Sequence, residues 1–66
     1  MVSLRFDSKA NALYMKIAEG RVSETEPLND GVFIDLDEGG KILGIEIILP
    51  KNLSKKMVEK IAQAVA

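Results

Sequence analysis

Apolar and polar residues alternate through much of the first fifty positions. Val2, Leu4 and Phe6 are separated by Ser3 and Arg5, and Leu13, Met15 and Ile17 by Tyr14 and Lys16. This period of two is that of strands with one buried face. Between them Asp7-Ser8-Lys9-Ala10-Asn11 is a polar connection, where Asp and Asn side chains bond nearby backbone. After a reversal at Glu19-Gly20, Arg21 to Glu26 holds Val22 as its one large apolar residue. It reads as a weak edge strand, where charge discourages unwanted pairing, and Pro27 is expected to close it. Asn29-Asp30-Gly31 marks a turn. Val32–Asp37 and Lys41–Leu49 then flank Glu38-Gly39-Gly40 as a hairpin.

After Pro50 the period changes. Leu53, Met57, Ile61 and Val65 recur every four residues beside Val58, Ala62 and Ala64, while Lys55, Lys56, Glu59, Lys60 and Gln63 take the other side. Asn52 or Ser54 supplies the N-cap. The pattern predicts one α+β domain over residues 1–66. It comprises a single antiparallel β-sheet of four to five strands within 1–49, read as a meander, with one C-terminal α-helix over 53–65 packed on one face.

Setting Leu36 opposite Lys41 places Ile34 against Leu43 and Val32 against Ile45, which makes one hairpin face wholly apolar. Phe33 then lies across from Gly44 and covers the gap left there. The second face is mixed: Phe33, Asp35, Ile42, Glu46 and Ile48. If the helix shelters only the first face, Phe33, Ile42 and Ile48 stay open and form the expected interface. Size strengthens that expectation, because a core this small rarely supplies more than about 3–5 kcal/mol without disulfides or metal. A homo-oligomer, most simply a dimer, is expected.

Composition narrows the chemistry. The 66 residues include no cysteine, no histidine and no tryptophan. Disulfides, thiolate metal sites and imidazole-dependent catalysis are therefore excluded. The chain is accordingly read as non-enzymatic, with no cofactor. It begins without the basic and apolar regions of a signal peptide, and no stretch reaches the ~18–20 apolar residues of a membrane span. A cytoplasmic, membrane-free protein is the expectation. Residues 1–50 carry nine acids and five bases, whereas 51–66 carry four lysines and Glu59, so a body of −4 precedes a tail of +3.

Asp35-Leu36-Asp37-Glu38-Gly39-Gly40 with Glu46 approaches a calcium-loop pattern, Gly39 departing from it. Calcium loops join helices, though, and Glu46 would lie roughly 17 Å along a strand from the turn. The motif reads as an acidic hairpin. Asp35 and Glu46 share the mixed face beside Ile42 and Ile48, and with Tyr14 they form the candidate polar site. A desolvated carboxylate there would have a raised pKa and suit acid or base chemistry, though nothing supplies a nucleophile or oxyanion hole; ligand or metal binding through Asp35 and Glu46 is the alternative reading. The plainer account is a solvated face, or acids that meet lysines of a second copy. Tyr14 is more simply a packed phenol with a satisfied hydroxyl. Lys55, Lys56 and Lys60 suit phosphate contacts, but the chain is acidic and no aromatic residue interleaves with them. They read as a solvated helix face, and nucleic acid is not the expected partner.

The segments Phe6-Asp7, Asn11-Ala12-Leu13-Tyr14-Met15-Lys16-Ile17, Asp30-Gly31-Val32-Phe33-Ile34-Asp35-Leu36-Asp37 and Gly44-Ile45-Glu46-Ile47 occur in that order. Together they resemble the prokaryotic domain of unknown function 2283 family over residues 4–49. That family reads approximately Y-D-x-x-x-D-A-L-Y-I, D-G-V-x-V-D-x-D-x-x-G and G-I-E-I-L. Phe6 replaces its first aromatic and Asn11 its usual aspartate, so any role of that acid is missing here. The resemblance implies a small stand-alone prokaryotic protein without established activity; some members resemble the small partners of toxin–antitoxin pairs, which adds a small protein partner to what the resemblance implies. It points to Tyr14, Asp35, Gly44 and Glu46.

Overall fold

A computed structural model describes residues 2–65. Five strands, β1 (Ser3–Asp7), β2 (Ala12–Lys16), β3 (Glu24–Asn29), β4 (Val32–Leu36) and β5 (Ile42–Ile48), precede the helix α1 (Lys55–Val65). All neighbours are antiparallel, in the order β1-β2-β5-β4-β3. The α+β reading therefore holds, and the strand count is five. Among the described residues no helix is long and apolar enough to cross a membrane.

The order differs from a meander because β5, not β3, lies beside β2. Composition explains the exchange. Every residue of β3 is exposed, and the strand contains Pro27, which has no N–H to give a second neighbour. Such a strand belongs at an edge. β5 carries Leu43, Ile45 and Ile47 in one row and is suited to the centre. Pro27 does not close the segment as expected; it sits within β3 opposite Phe33, followed by a bulge before Asn29. Residues 17–23 make the crossing from β2 to β3. The N–H groups of Ile17 and Ala18 both donate to the Leu43 carbonyl (2.8 and 3.1 Å), and that of Ser23 to the Leu36 carbonyl (2.8 Å). Gly20 presses on Leu43 so closely that an added Cβ would lie 2.8 Å from its Cδ2.

Two turns are built by aspartates. Asp7 Oδ1 accepts from the N–H groups of Lys9 (3.0 Å) and Ala10 (3.2 Å), and Asn11 completes that hairpin in the left-handed region, φ 53°. Asp37 Oδ1 accepts from the N–H groups of Gly39 (2.9 Å) and Lys41 (2.8 Å). The Asp37 N–H also donates to the Lys41 carbonyl at 3.0 Å, so the turn closes one residue wider than the sequence suggested. A bulge adds another step: Asp35 pairs with Gly44 but Leu36 with Ile42, leaving Leu43 as the extra residue. Together these move the register by two, to Ile34 against Ile45 and Val32 against Ile47. A shift of two preserves the faces. Leu4, Phe6, Leu13, Met15, Val32, Ile34, Ile45 and Ile47 thus share one apolar side through direct pairing.

Ser54 caps α1 by accepting the Met57 N–H on Oγ at 3.1 Å. The helix approaches the sheet at β1, with Val58, Ile61, Ala62 and Val65 half-buried along one stripe. Eleven residues make a helix about 16 Å long and ~10 Å wide, enough for roughly two strands at ~4.8 Å spacing. The apolar face is accordingly only half-buried at Leu13, Met15, Val32, Ile34, Ile45 and Ile47. Among the described residues only Ala12, Leu43 and Leu49 are buried apolar side chains, and α1 buries none. Leu43, 2% exposed and held between the crossing and the bulge, is the largest anchor of this thin core. Leu43→Ala should cost about 2–4 kcal/mol of stability, whereas Leu28→Ala, at a side chain 64% exposed, should stay within about 0.5 kcal/mol. Urea denaturation of the two variants would check this; equal midpoints would contradict the assignment.

Candidate functional site

The polar face is organised by two adjacent rows. Arg5, Tyr14, Glu46, Phe33 and Pro27 face one another in turn across all five strands. Beside that row run Ser3, Lys16, Gly44, Asp35 and Thr25. The Tyr14 ring leans from the first row into the second, over Gly44, and its hydroxyl donates to Asp35 Oδ2 at 2.9 Å. Thr25 Oγ1 donates to Asp35 Oδ1 at 2.6 Å. One carboxylate thereby links β2, β4 and β3 across the intervening β5. Gly44 is required for space: a Cβ there would fall on the Tyr14 hydroxyl and lie 3.1 Å from the Met15 carbonyl. The sequence-based pairing of Phe33 with Gly44 is replaced by Asp35 with Gly44, a consequence of the wider turn and the bulge.

The electrostatics keep the Tyr14 phenol protonated. Burial of the ring pushes its pKa above the ordinary 10.0, and the Asp35 hydrogen bond, the Asp35 charge and the Glu46 charge push the same way against Arg5. Each withdraws stability from a phenolate. Asp35 and Glu46 share the face but are not opposite each other, and both Asp35 oxygens accept from hydroxyls. Among the described residues no three His, Cys, Asp or Glu side chains gather to hold a metal ion. An open cleft of about 670 Å3 lies beside β1, lined by Arg5, Lys9, Tyr14 and Glu46 with Asp7 and Ser8 among others. It offers both charges and one phenolic donor.

The expected apolar trio is divided. Phe33 and Ile48 remain on the polar face, Phe33 half-buried and Ile48 37% exposed, but the bulge makes Ile42 the partner of Leu36. Ile42, 41% exposed, therefore stands outside their rows. What the sequence reading missed is the acidic rim. Glu24 pairs with Leu36 and Glu26 with Ile34, so both carboxylates border the apolar side. Glu24 raises the Glu26 pKa, first because a protonated Glu26 can share a hydrogen bond with it and then through the repulsion of its charge. The period-2 spacing of the two glutamates is the signal that could have shown them sharing a side.

Residues 4–48 match the sequence profile of the family described as Protein of unknown function (DUF2283). The chain belongs to that family. No curated protein and no solved structure matches it. Within this DUF2283 chain, Tyr14, Gly44 and Asp35, separated widely in sequence, meet in one hydrogen-bonded strap, and Glu46 adjoins Tyr14. Asn11, where the family resemblance has aspartate, adopts the left-handed turn and directs Nδ2 towards the Leu49 carbonyl at 3.4 Å, a donor that aspartate lacks.

Tyr14 is the one tyrosine of the DUF2283 chain and tryptophan is absent, so tyrosinate absorbance reads this group alone. Its titration midpoint in the folded protein should lie above 10, and Gly44→Ala, by displacing the hydroxyl, should lower it and cost about 1–3 kcal/mol. The linkage has a definite sign. A folded-state pKa raised above the unfolded value means that the contribution is present below pH ~10 and is lost as pH rises through the folded midpoint. Tyr14→Phe should remove that alkaline loss from the stability profile. A wild-type midpoint at or below 10 would refute the strap.

Proposed function

We propose that this chain is a non-enzymatic self-associating module whose apolar sheet face is its contact surface. The observation that carries this reading is the apolar face itself: Leu13, Met15, Val32, Ile34, Ile45 and Ile47 line it, and each is only half-buried within the single chain. The surface area points the same way. A monomer of 7.2 kDa is expected to expose roughly 4,100 Å2, and this chain exposes 5124 Å2. Its radius of gyration is 12.7 Å, against about 10.8 Å for a compact chain of this length. The excess, on the order of 1,000 Å2, is comparable to the ~800 Å2 each partner contributes to a standard interface.

This replaces the expected contact through Phe33, Ile42 and Ile48 with the sheet side opposite Phe33 and Ile48. The polar face holds its own charges and hydrogen bonds in water, whereas the apolar face has no comparable stabilisation unless another surface covers it. Sedimentation equilibrium at micromolar concentration should give a mass of about twice 7.2 kDa. A stable 7.2 kDa species would overturn the proposal. Ile45→Lys should dissociate the assembly, and Phe33→Lys, on the polar face, should leave its mass unchanged.

A further inference from the structure

We infer that two copies pack apolar face to apolar face about a two-fold axis parallel to the strands, so that the α1-bearing edge of each meets the β3 edge of the other. The inference rests on the self-association proposed above and specifies its partner and geometry. A symmetric pairing of two sheets through the same face has two simple forms. With the axis parallel to the strands, β1 of one copy lies over β3 of its partner. With the axis in the interface but perpendicular to the strands, β1 lies over β1 and β3 over β3.

Charge separates the two. The β3 edge presents Glu24 and Glu26, both exposed and both on the apolar side, and among the described residues neither meets a lysine or arginine. The far edge carries α1, whose Lys55, Lys56 and Lys60 are all exposed and share the helix with one acid, Glu59. The parallel axis brings each lysine cluster to a glutamate pair. The perpendicular axis stacks glutamates on glutamates and lysines on lysines, and like charges juxtaposed at an interface oppose association. The adjacent glutamates already repel each other within one chain, and cations supplied by a second copy would relieve that.

Shape selects the same axis. α1 adds bulk at the β1 edge, where its backbone comes closest to the sheet, and β3 lies at the opposite edge. In the perpendicular form two helices compete for one place, while the two β3 edges leave a gap. In the parallel form each helix fills the space beside its partner's β3. Both edges also retain exposed apolar side chains, Leu4 and Met57 at one and Leu28, within the β3 irregularity, at the other, at 39%, 46% and 64% exposure. The parallel form brings these two edges together.

Charge reversal and cross-linking test the arrangement. Glu24→Lys with Glu26→Lys should weaken the dimer by at least about tenfold, as should Lys55→Glu, Lys56→Glu and Lys60→Glu together. A 1:1 mixture of the two variants should restore it as a mixed dimer, because both contacts are then complementary. A wild-type dimer whose variants dissociate within about twofold of it would overturn the axis while leaving self-association standing; a monomeric wild type would remove both. The chain has no cysteine of its own, so a second measurement uses Glu26→Cys and Lys60→Cys, each made separately in the otherwise unchanged chain. Mixed, they should form a disulfide-linked dimer on oxidation, and neither should link to itself. Self-linked dimers of either variant in preference to the mixed one would refute the parallel axis.

Discussion

A five-stranded sheet has two faces to settle with water, and this chain has one short helix with which to do it. That imbalance governs the architecture. One amphipathic helix spans about two strands, so the apolar side of β2, β5 and β4 lies largely beyond its reach. Adding apolar residues to the interior is not available to 66 residues arranged this way, since a sheet with a single partial layer encloses almost no volume. The side chains that are fully sheltered lie where the chain folds over itself. Leu43 sits under the crossing with its Gly20, and Ala12 and Leu49 flank the β1–β2 turn. The thin core and the open face have the same origin.

Strand order follows from the same constraint. The two edges must tolerate unpaired backbone, and the centre must present apolar residues to whatever covers it. β3, with two glutamates and a proline, fits the first requirement, and β5, between β2 and β4, the second. Placing β5 there obliges residues 17–23 to cross the sheet end, and hydrogen bonds to the Leu43 and Leu36 carbonyls hold that crossing down. The Leu43 carbonyl lies on the β2 side of β5, where it continues that ladder by accepting the N–H groups of Ile17 and Ala18 at the start of the crossing.

Legibility in the sequence tracks the range of the interactions. Local signals were sufficient for the Asp7 turn, the Ser54 cap, the helix stripe and the edge character of the segment before Pro27. Each depends on residues within a few positions of one another. The failures lie at longer range or at single steps. Nothing near Leu43 announces an extra residue except the neighbouring Gly44, and an interior strand glycine signals either a bulge or a close approach. Here it accompanies both. The Tyr14–Asp35 bond joins positions 21 apart on strands that are not neighbours, so alternation places both on one face and goes no further. The two-residue register shift escaped notice for the opposite reason: it changes every partner and no face. Strand order was illegible because alternation records which side a residue takes, not which strand stands beside it.

The strap explains how a sheet with so little packing keeps one register on its wet side. Where a sheet face is packed, slippage by one residue exposes apolar side chains and is strongly opposed. The polar face lacks that penalty, and β3 is held by one ladder alone. Asp35 supplies a substitute, because hydrogen bonds to a charged group contribute about 1.5–3 kcal/mol each when geometry is good, less where water competes. Tyr14 and Thr25 can both reach it only when β2, β5, β4 and β3 stand in the observed alignment. A slip at any of the three ladders joining these strands breaks at least one of the two bonds, and a side chain in place of Gly44 obstructs the one from Tyr14. Register on the polar side of β2 to β3 is thus fixed by three side chains and a glycine rather than by packing.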